Sequence, residues 1–418
     1  MHVLIVTDQH PESLGGVQVA IRLQRRALER LGHRVTIAAP ALHRREYITD
    51  RENREAYVDL PSRPITRDRE YGLSWPGART DRVLAAALAD RPRADLVHVQ
   101  GDFWGAMIGL RAARGLRVPL VITLHNHVDA GTRAVTPLAP FVFRALRGWR
   151  RLALGRVRPA DGAVRIPQRA RGAWRYLAEL TAEAVRISAP SRHFARQLEA
   201  HGVRAGAGDG AVRVTPGGVD DAAIEAARAA PRAPRERPRL VWLGRMSHEK
   251  RVLELVDAVA ASGIDAELVL HGAGLLLPQL RERIARHGLG ERVRIAGPVP
   301  YAEALAAMRD ADALVQTSIG FETQGLTPFE AAALGTPTVF CDPAIAEDVA
   351  ASVEWRAADA SVAALASALR IAVAELAAAS AAGDAERFRI PAAESARFLQ
   401  SARSEAMLRL YGEALTRS

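Results

Sequence analysis

Four short stretches of this 418-residue chain set reactive side chains beside glycines. The first is GRMSHEK, residues 244–250, which ends in Lys250, the sole lysine of the sequence. Lys and Arg together number 57, so the other 56 basic side chains are arginines. An apolar run at 240–243 precedes the stretch and a helical pattern follows at 252–262, with Ser247 available as N-cap and Glu249 in the first turn. A cation at a helix start opposes the helix dipole. Lys250 and Arg245 therefore do nothing for the helix, and they make sense either around an anion or as a solvated charged loop. The second stretch, residues 320–337, reads GFETQGLTPFEAAALGTP. Here Gly325, Leu326 and Thr327 lead into a helix whose first N–H groups suit a phosphate. Glu322 and Glu330 stand eight positions apart around that start, among small and apolar neighbours. They suit the hydroxyls of a sugar phosphate, one at a hexose and the other at a ribose; surface glutamates are the alternative. The third is Gly15-Gly16, where a loop enters a helix. Adjacent glycines admit a ligand close to the backbone, although the spacing is not that of a dinucleotide fingerprint and an ordinary loop-to-helix junction also fits. The fourth is Thr123-Leu124-His125-Asn126-His127, just past an apolar run. His125 there either donates to a ligand and stabilises developing charge or serves as a satisfied structural histidine.

The elements that must carry these stretches alternate in type. Short apolar runs at 3–6, 35–39, 96–99, 120–123 and 185–189 are interleaved with helical patterns near 16–31 and 105–114. Glycine-rich residues 202–218 and the proline-rich 231–238 then interrupt the pattern. It restarts with runs at 240–243, 266–270, 293–295, 313–316 and 338–340, separated by helical patterns near 252–262, 277–287, 301–309 and 329–334. This β-α-β punctuation predicts an α/β protein of two doubly wound parallel-sheet domains. An amphipathic tail helix is predicted over 393–415.

Composition narrows the class. The sequence is 49% hydrophobic and 25% charged, the range of globular proteins. A single cysteine, Cys341, forms no internal disulfide and fits the cytoplasm. The first apolar run is too short for a signal peptide, and no stretch reads as some 20 apolar residues, so no membrane span is expected. The net charge of +10 is concentrated: residues 144–175 hold ten arginines against one acid, Asp161, with tryptophans interleaved. Arg144, Arg147, Trp149, Arg150 and Arg151 are the candidates for contact with an anionic bilayer, the alternative being an arginine-rich solvated face. Asp310-Ala311-Asp312 has the D-x-D form of a metal motif but reads as a solvated turn, and no metal is expected.

Taken together and in this order, the four stretches resemble the retaining glycosyltransferases of the GT-B fold, family four, over nearly the whole chain. The resemblance implies two Rossmann-like domains facing across a cleft: residues 1–220 for the acceptor, 221–238 as linker and 239–393 for a nucleoside diphosphate sugar, with a tail helix 394–418 crossing back to the first domain. It implies that Gly244, Arg245 and Lys250 hold the diphosphate and that Gly325, Leu326 and Thr327 meet its distal phosphate. Glu322 then binds the transferred sugar, Glu330 the ribose, and Gly15 and Gly16 close over the diphosphate. His125 touches the sugar near its reacting carbon, so that His125, Arg245, Lys250 and Glu322 form the catalytic set. Two positions depart from the family pattern. Gly217 replaces the usual Asn in Pro216-Gly217-Gly218-Val219-Asp220, and Asn126-His127 follows the histidine where an acid is common.

Such enzymes move a hexose from a UDP- or GDP-sugar to a hydroxyl with retained configuration, without metal or cofactor. The stretch 322–326 with Trp104-Gly105 is most similar to the branch that glycosylates diacylglycerol, glycolipids or phosphatidylinositol. That implies a lipid acceptor and a peripheral place on the inner face of the membrane; a soluble sugar or small molecule is the alternative acceptor. Two other classes fit the sequence less well. A pyridoxal phosphate phosphorylase would need Lys250 for its cofactor, and a non-enzymatic basic module binding membrane or nucleic acid would leave Glu322 and Glu330 unexplained. Nucleic acid is not among the expected partners.

Overall fold

The protein, described by a computed structural model over residues 1–44, 51–158, 166–168, 170–232 and 235–416, divides into two compact units. The first is Met1–Gly217 with Arg403–Ser418, and the second is Gly218–Ala402.

The first unit is built on a seven-stranded parallel sheet. In chain order its strands are β1 (His2–Thr7), β2 (Arg34–Pro40), β3 (Tyr57–Leu60), β4 (Leu96–Gln100), β5 (Leu120–Thr123), β6 (Arg186–Ala189) and β7 (Val212–Val214). Their spatial order is β3-β2-β1-β4-β5-β6-β7. The second unit holds a six-stranded parallel sheet of β8 (Arg239–Leu243), β9 (Glu267–His271), β10 (Val293–Gly297), β11 (Ala313–Gln316), β12 (Thr338–Phe340) and β13 (Glu354–Arg356). Its order, β10-β9-β8-β11-β12-β13, repeats the 3-2-1-4-5-6 winding of the first. Both sheets are covered on two faces, which is why β1 and β4 are buried at every position rather than alternating.

In each unit the winding reverses at one place: between β1 and β4 in the first, and between β8 and β11 in the second. Loops leaving the strand ends diverge there and open a crevice. The reactive stretches 8–16 and 101–104 follow β1 and β4, while 244–250 and 317–325 follow β8 and β11.

Several elements differ from expectation. The strands β3, β7 and β13 escape the sequence because they are edge strands of 3–4 residues, too short for a period. β7 lies inside the glycine-rich break. Part of the expected linker 221–238 is helical: Asp221–Ala229, ahead of the proline-rich 231–238, is capped by the Asp220 side chain and packs Ile224 and Ala227 into the core of the second unit. Ala233 and Pro234 of that linker lie outside the described residues. The tail is not one helix but three pieces, Ala392–Ser395, a 3-10 turn Ala396–Phe398 and Gln400–Leu415. The last of these seats Met407, Leu410, Tyr411 and Ala414 against Val3, Ile5, Ile21 and Val35 of the first unit. One helix, Val362–Ala381, is long and apolar enough to cross a membrane by composition, contrary to the reading that no stretch approached that length. Its alanines hid it. Leu365, Leu369, Val373 and Leu376 pack in the core of the second unit, and its Glu375 accepts a hydrogen bond from Trp355 Nε1 at 2.8 Å, so it reads as a core helix.

Candidate active site

The second unit brings two of the sequence stretches into contact. Lys250 Nζ forms an ion pair with Glu322 Oε1, two half-buried side chains 72 positions apart. Lys250 is not at the α-helix start: it ends a 3-10 turn, His248–Lys250, and Arg251 takes the left-handed conformation (φ 52°) before the helix Val252–Ser262. The turn is pinned from β11, where Thr317 Oγ1 donates to the Lys250 carbonyl and accepts from Trp242 Nε1 at 2.9 Å. Ser247 makes no side-chain cap; its hydroxyl donates to Glu249 Oε1 at 2.6 Å. Glu249 in turn stands 3.4 Å from Arg245, whose side chain is 69% exposed. Arg245 is thus an outward cation on the same loop that holds Lys250 inward.

Two glycines after β9 complete this wall, and the sequence reading passed over them. A Cβ on Gly272 (φ +139°) would stand 1.9 Å from the Gly244 carbonyl oxygen, and one on Gly274 would stand 2.3 Å from that of Met246. Loop 244–250 therefore rests backbone to backbone on the loop after β9, and the G-x-G spacing of His271-Gly272-Ala273-Gly274 was the available signal.

Gly325 (φ +71°) turns the chain into the helix Leu326–Ala333. The N–H groups of Leu326 and Thr327 head that helix, and Pro328 supplies none. Asp342, after β12, braces the approach by accepting from Gly320 N at 2.8 Å. Glu330 faces inward. It is 8% exposed, hydrogen-bonded to the Tyr301 hydroxyl, and burial pushes its carboxyl up to about 7 despite that bond. The two glutamates thus differ in kind: Glu322 is ion-paired beside the loops and Glu330 is a buried acid one turn into the helix.

The D-x-D segment is not a solvated turn. Arg239 donates to Asp312 Oδ2 through its backbone N–H at 2.8 Å and to Asp310 Oδ2 through Nη1 at 2.7 Å, and Arg232 and Arg235 pair with the same acids. Both carboxylates belong to an arginine cluster at the start of β8.

In the first unit, Gly15 and Gly16 line a cavity of about 620 Å³ at the β1/β4 reversal, together with Asp8, Phe103, Trp104 and His125. Gly15 (φ 142°) begins the helix Gly16–Arg30. The floor is set by a residue the sequence reading missed. Buried Asp8 accepts from Asp102 N at 2.6 Å, Phe103 N at 3.1 Å and Gly105 N at 2.7 Å, so it caps the helix Trp104–Leu116. Its own burial raises it to about 6, against the pull of those three donors. A Cβ on Gly105 would lie 2.5 Å from the Thr7 carbonyl carbon. Asp102, also buried, is pushed up to about 8 by burial and by the charge of Asp8, and it accepts from the Asn126 side chain at 2.6 Å. An acid directly after a first strand was the signal for Asp8; Asp102 carried none.

His125 sits at the end of β5, its Nε2 3.0 Å from Gln100 Oε1, and burial lowers it to about 4. It is neutral at physiological pH, so it can direct a hydrogen bond but not supply a charge. His127 is structural: its Nδ1 caps the helix Val128–Val135 by accepting from Ala130 N at 3.1 Å.

The basic stretch splits in two. Arg150 is 2% exposed and donates to the Glu179 carbonyl at 3.2 Å; Arg147 and Arg175 both pair with the Glu179 carboxylate. Trp149 packs at a tilt against Trp75, ring centroids 4.9 Å apart. Of these three bilayer candidates Arg150 is buried, while Arg147 and Trp149 are half-buried at the edge of the face by which the helix Ala139–Leu154 packs. Its exposed face presents Phe141, Arg144, Ala145, Gly148, Arg151 and Leu152. Asp161, Arg165 and Arg169 lie outside the described residues.

Two Rossmann-like units of equal winding, each with its reactive loops at the sheet reversal, define the class of the GT-B glycosyltransferases. The solved structures agree on the fold: the Anabaena protein HepE in complex with UDP superposes with a TM-score of 0.65 at 15% identity, over 99% of this chain and 100% of that one. A sucrose-phosphate synthase from Thermosynechococcus elongatus gives 0.68 at 20% identity, over 100% and 99%. The family model for Glycosyltransferase Family 4 matches residues 14–223, and that for Glycosyl transferases group 1 matches 223–382. The chain belongs to Glycosyltransferase Family 4. It is 28% identical to the 2-deoxystreptamine glucosyltransferase of Streptomyces kanamyceticus, over 77% of this chain and 79% of that protein. It is 27% identical to the phosphatidyl-myo-inositol mannosyltransferase of Mycobacterium leprae, over 78% and 75%, and 24% identical to the alpha-monoglucosyldiacylglycerol synthase of Streptococcus pneumoniae, over 81% and 70%.

Proposed function

We propose that this protein transfers a hexose from a UDP- or GDP-sugar to a hydroxyl of a membrane lipid or glycolipid, with retention at the anomeric carbon. The observation that carries the reading is the meeting of Lys250 with Glu322 beside the helix start at Leu326. A cation and first-turn N–H groups gathered there would suit a diphosphate, and the neighbouring carboxylate would suit sugar hydroxyls. The burden of the reaction is charge, since a diphosphate departs while the sugar carbon turns oxocarbenium-like. Arg245, Lys250 and the N–H groups of Leu326 and Thr327 would stabilise the leaving oxygens electrostatically. The bond from the anomeric carbon to phosphate oxygen breaks, the bond to the acceptor oxygen forms on the same face, and the acceptor proton passes to the departing phosphate. Neutral His125 would hydrogen-bond to the sugar, and Glu330 would hold the ribose. The reading needs no metal and no cofactor.

A lipid acceptor is favoured by the exposed face of the helix Ala139–Leu154, where Phe141 (67% exposed) and Leu152 (78%) stand with Arg144 and Arg151. Such a face suits an anionic membrane surface. A soluble acceptor is the second reading, because a relative of similar identity glucosylates 2-deoxystreptamine.

The test is a panel of UDP- and GDP-sugars, read by thermal shift and by product formation on lipid and aminocyclitol acceptors. Stabilisation by one nucleotide series and an alpha-linked product are expected. Absence of both shift and transfer across the panel overturns the reading.

A further inference from the structure

His125 is the first member of a chain of hydrogen bonds that runs beneath the sheet of the first unit to its C-terminal helix. His125 Nε2 lies 3.0 Å from Gln100 Oε1. Gln100 Nε2 donates to Gln24 Oε1 at 2.7 Å, and Gln24 Nε2 donates to Tyr411 Oη at 2.8 Å. Tyr411 Oη is 2.8 Å from His98 Nδ1, and His98 Nε2 is 2.7 Å from Thr123 Oγ1. Thr123 Oγ1 is 2.7 Å from Ser188 Oγ. Gln24, His98, Gln100, Thr123, Ser188 and Tyr411 are all buried.

The amides impose a direction. Each uses its oxygen toward His125 and its nitrogen toward Tyr411, so Gln100 Oε1 requires a proton on His125 Nε2. The Tyr411 hydroxyl accepts from Gln24 and donates to His98 Nδ1, and His98 in that tautomer donates from Nε2 to Thr123 Oγ1. Burial keeps both imidazoles neutral, lowering His98 to about 3. A neutral imidazole has two tautomers, chosen by the partner of one nitrogen. Turning one amide alone would set two N–H₂ groups or two oxygens face to face, so the pair turns only together and only with a change at Tyr411 and His98.

We infer that Tyr411, at the far end of the chain, is a positioning residue for transfer: through Gln24 and Gln100 it holds His125 in the tautomer that carries its proton on Nε2. This rests on the proposed role of His125 at the transferred sugar. Tyr411 is the pivot because its hydroxyl carries one proton: while that proton goes to His98 Nδ1, the oxygen can only accept from Gln24, so the direction of the amides is tied to the tautomer of His98. Without that oxygen, neither orientation of Gln24 is satisfied at that end, and both amides are released to turn.

The experiment uses the full chain labelled with ¹⁵N-histidine. Long-range ¹H–¹⁵N correlations distinguish the two ring nitrogens, and His125→Gln assigns the signal. The parent should show the proton on Nε2 alone. Tyr411→Phe removes one oxygen from a buried ring, and it should show mixed tautomers at His125. Its kcat should fall about ten-fold with little change in donor KM, the size typical of losing a partner that orients a histidine. Gln24→Met, which cuts the chain one step nearer, should do the same. Thermal melts establish that each variant is folded. An unchanged His125 tautomer in both folded variants overturns the inference, as does a fall in kcat without a tautomer change. If the parent transfers no sugar at all, the functional reading fails, while the tautomer spectra still decide this one.

Discussion

At the residue scale, the lone lysine becomes intelligible through its partner. In a chain with 56 arginines, charge alone would not preserve a lysine. Lys250 presents a compact ammonium to Glu322 Oε1 from a turn closed by Thr317 and Trp242, and a planar guanidinium there would occupy more of the space between the turn and the carboxylate. Lys250→Arg should lower transfer about 100-fold, the scale of losing one oriented donor at a leaving group. Its melting temperature should stay close to that of the parent, because a partly exposed ion pair contributes little to stability. Full activity in steady-state assays would show that the lysine is a compositional accident.

Glu330 makes a different prediction. Its carboxyl titrates near 7 in the folded protein against a reference value of 4.5. Below 4.5 both folded and unfolded chains carry the proton and the residue is neutral to stability. As pH rises from 4.5 through 7 the unfolded chain ionises first, so the folded state is progressively penalised. Glu330→Gln removes that penalty. The variant should match the parent near pH 4.5 and exceed it at pH 8 by on the order of 3 kcal/mol, while losing transfer. Denaturant melts at the two pH values check the sign; a variant no more stable at pH 8 would show that the buried acid ionises without cost.

At the element scale, the basic stretch shows how a helix sorts its residues. Periodicity placed Arg147 and Arg150 beside Phe141 and Arg144 in sequence, but 100° per residue carries the first two to the face that pairs with Glu179. The buried charge of Arg150 is hidden from a bilayer, and that of the half-exposed Arg147 is offset by Glu179. Phe141→Ser with Leu152→Ser should therefore reduce binding to anionic liposomes at least as much as Arg144→Gln with Arg151→Gln. Both pairs should leave donor hydrolysis in solution unchanged. Sedimentation with vesicles measures it; equal binding by all variants would remove this face from the lipid reading. The same sorting explains Asp310 and Asp312, which a linear motif offers to a metal and the start of β8 commits to arginines.

At the scale of the whole molecule, the first unit is discontinuous in sequence. Its core includes Met407, Leu410, Tyr411 and Ala414, contributed after the entire second unit. Ending the chain at Ala402 would expose the side of the sheet that carries Val3, Ile5 and Val121, and would leave Gln24 and His98 without the Tyr411 hydroxyl. That truncation should lower the melting temperature of the first unit by more than 10 °C, for an apolar loss of roughly 25 cal/mol per Å² uncovered. Calorimetry would show two transitions with the second unit unshifted; a single unshifted transition would mean the tail is dispensable.

The α/β class, the two sheets and the glycine-flanked loops at their strand ends were legible in the sequence, because parallel strands buried on both faces read as apolar runs and because Gly-Arg-x-x-x-x-Lys and Glu-x7-Glu are local spacings. The sequence could not show that Lys250 meets Glu322 across 72 positions, or that one glutamate is ion-paired while its companion is a buried acid. It could not separate the inward from the outward arginines of one helix, or find Asp8, Gly272 and Tyr411. Those assignments depend on which backbone lies within a few ångströms of which side chain, and therefore on burial and on partners distant in sequence. Tertiary structure alone decides both.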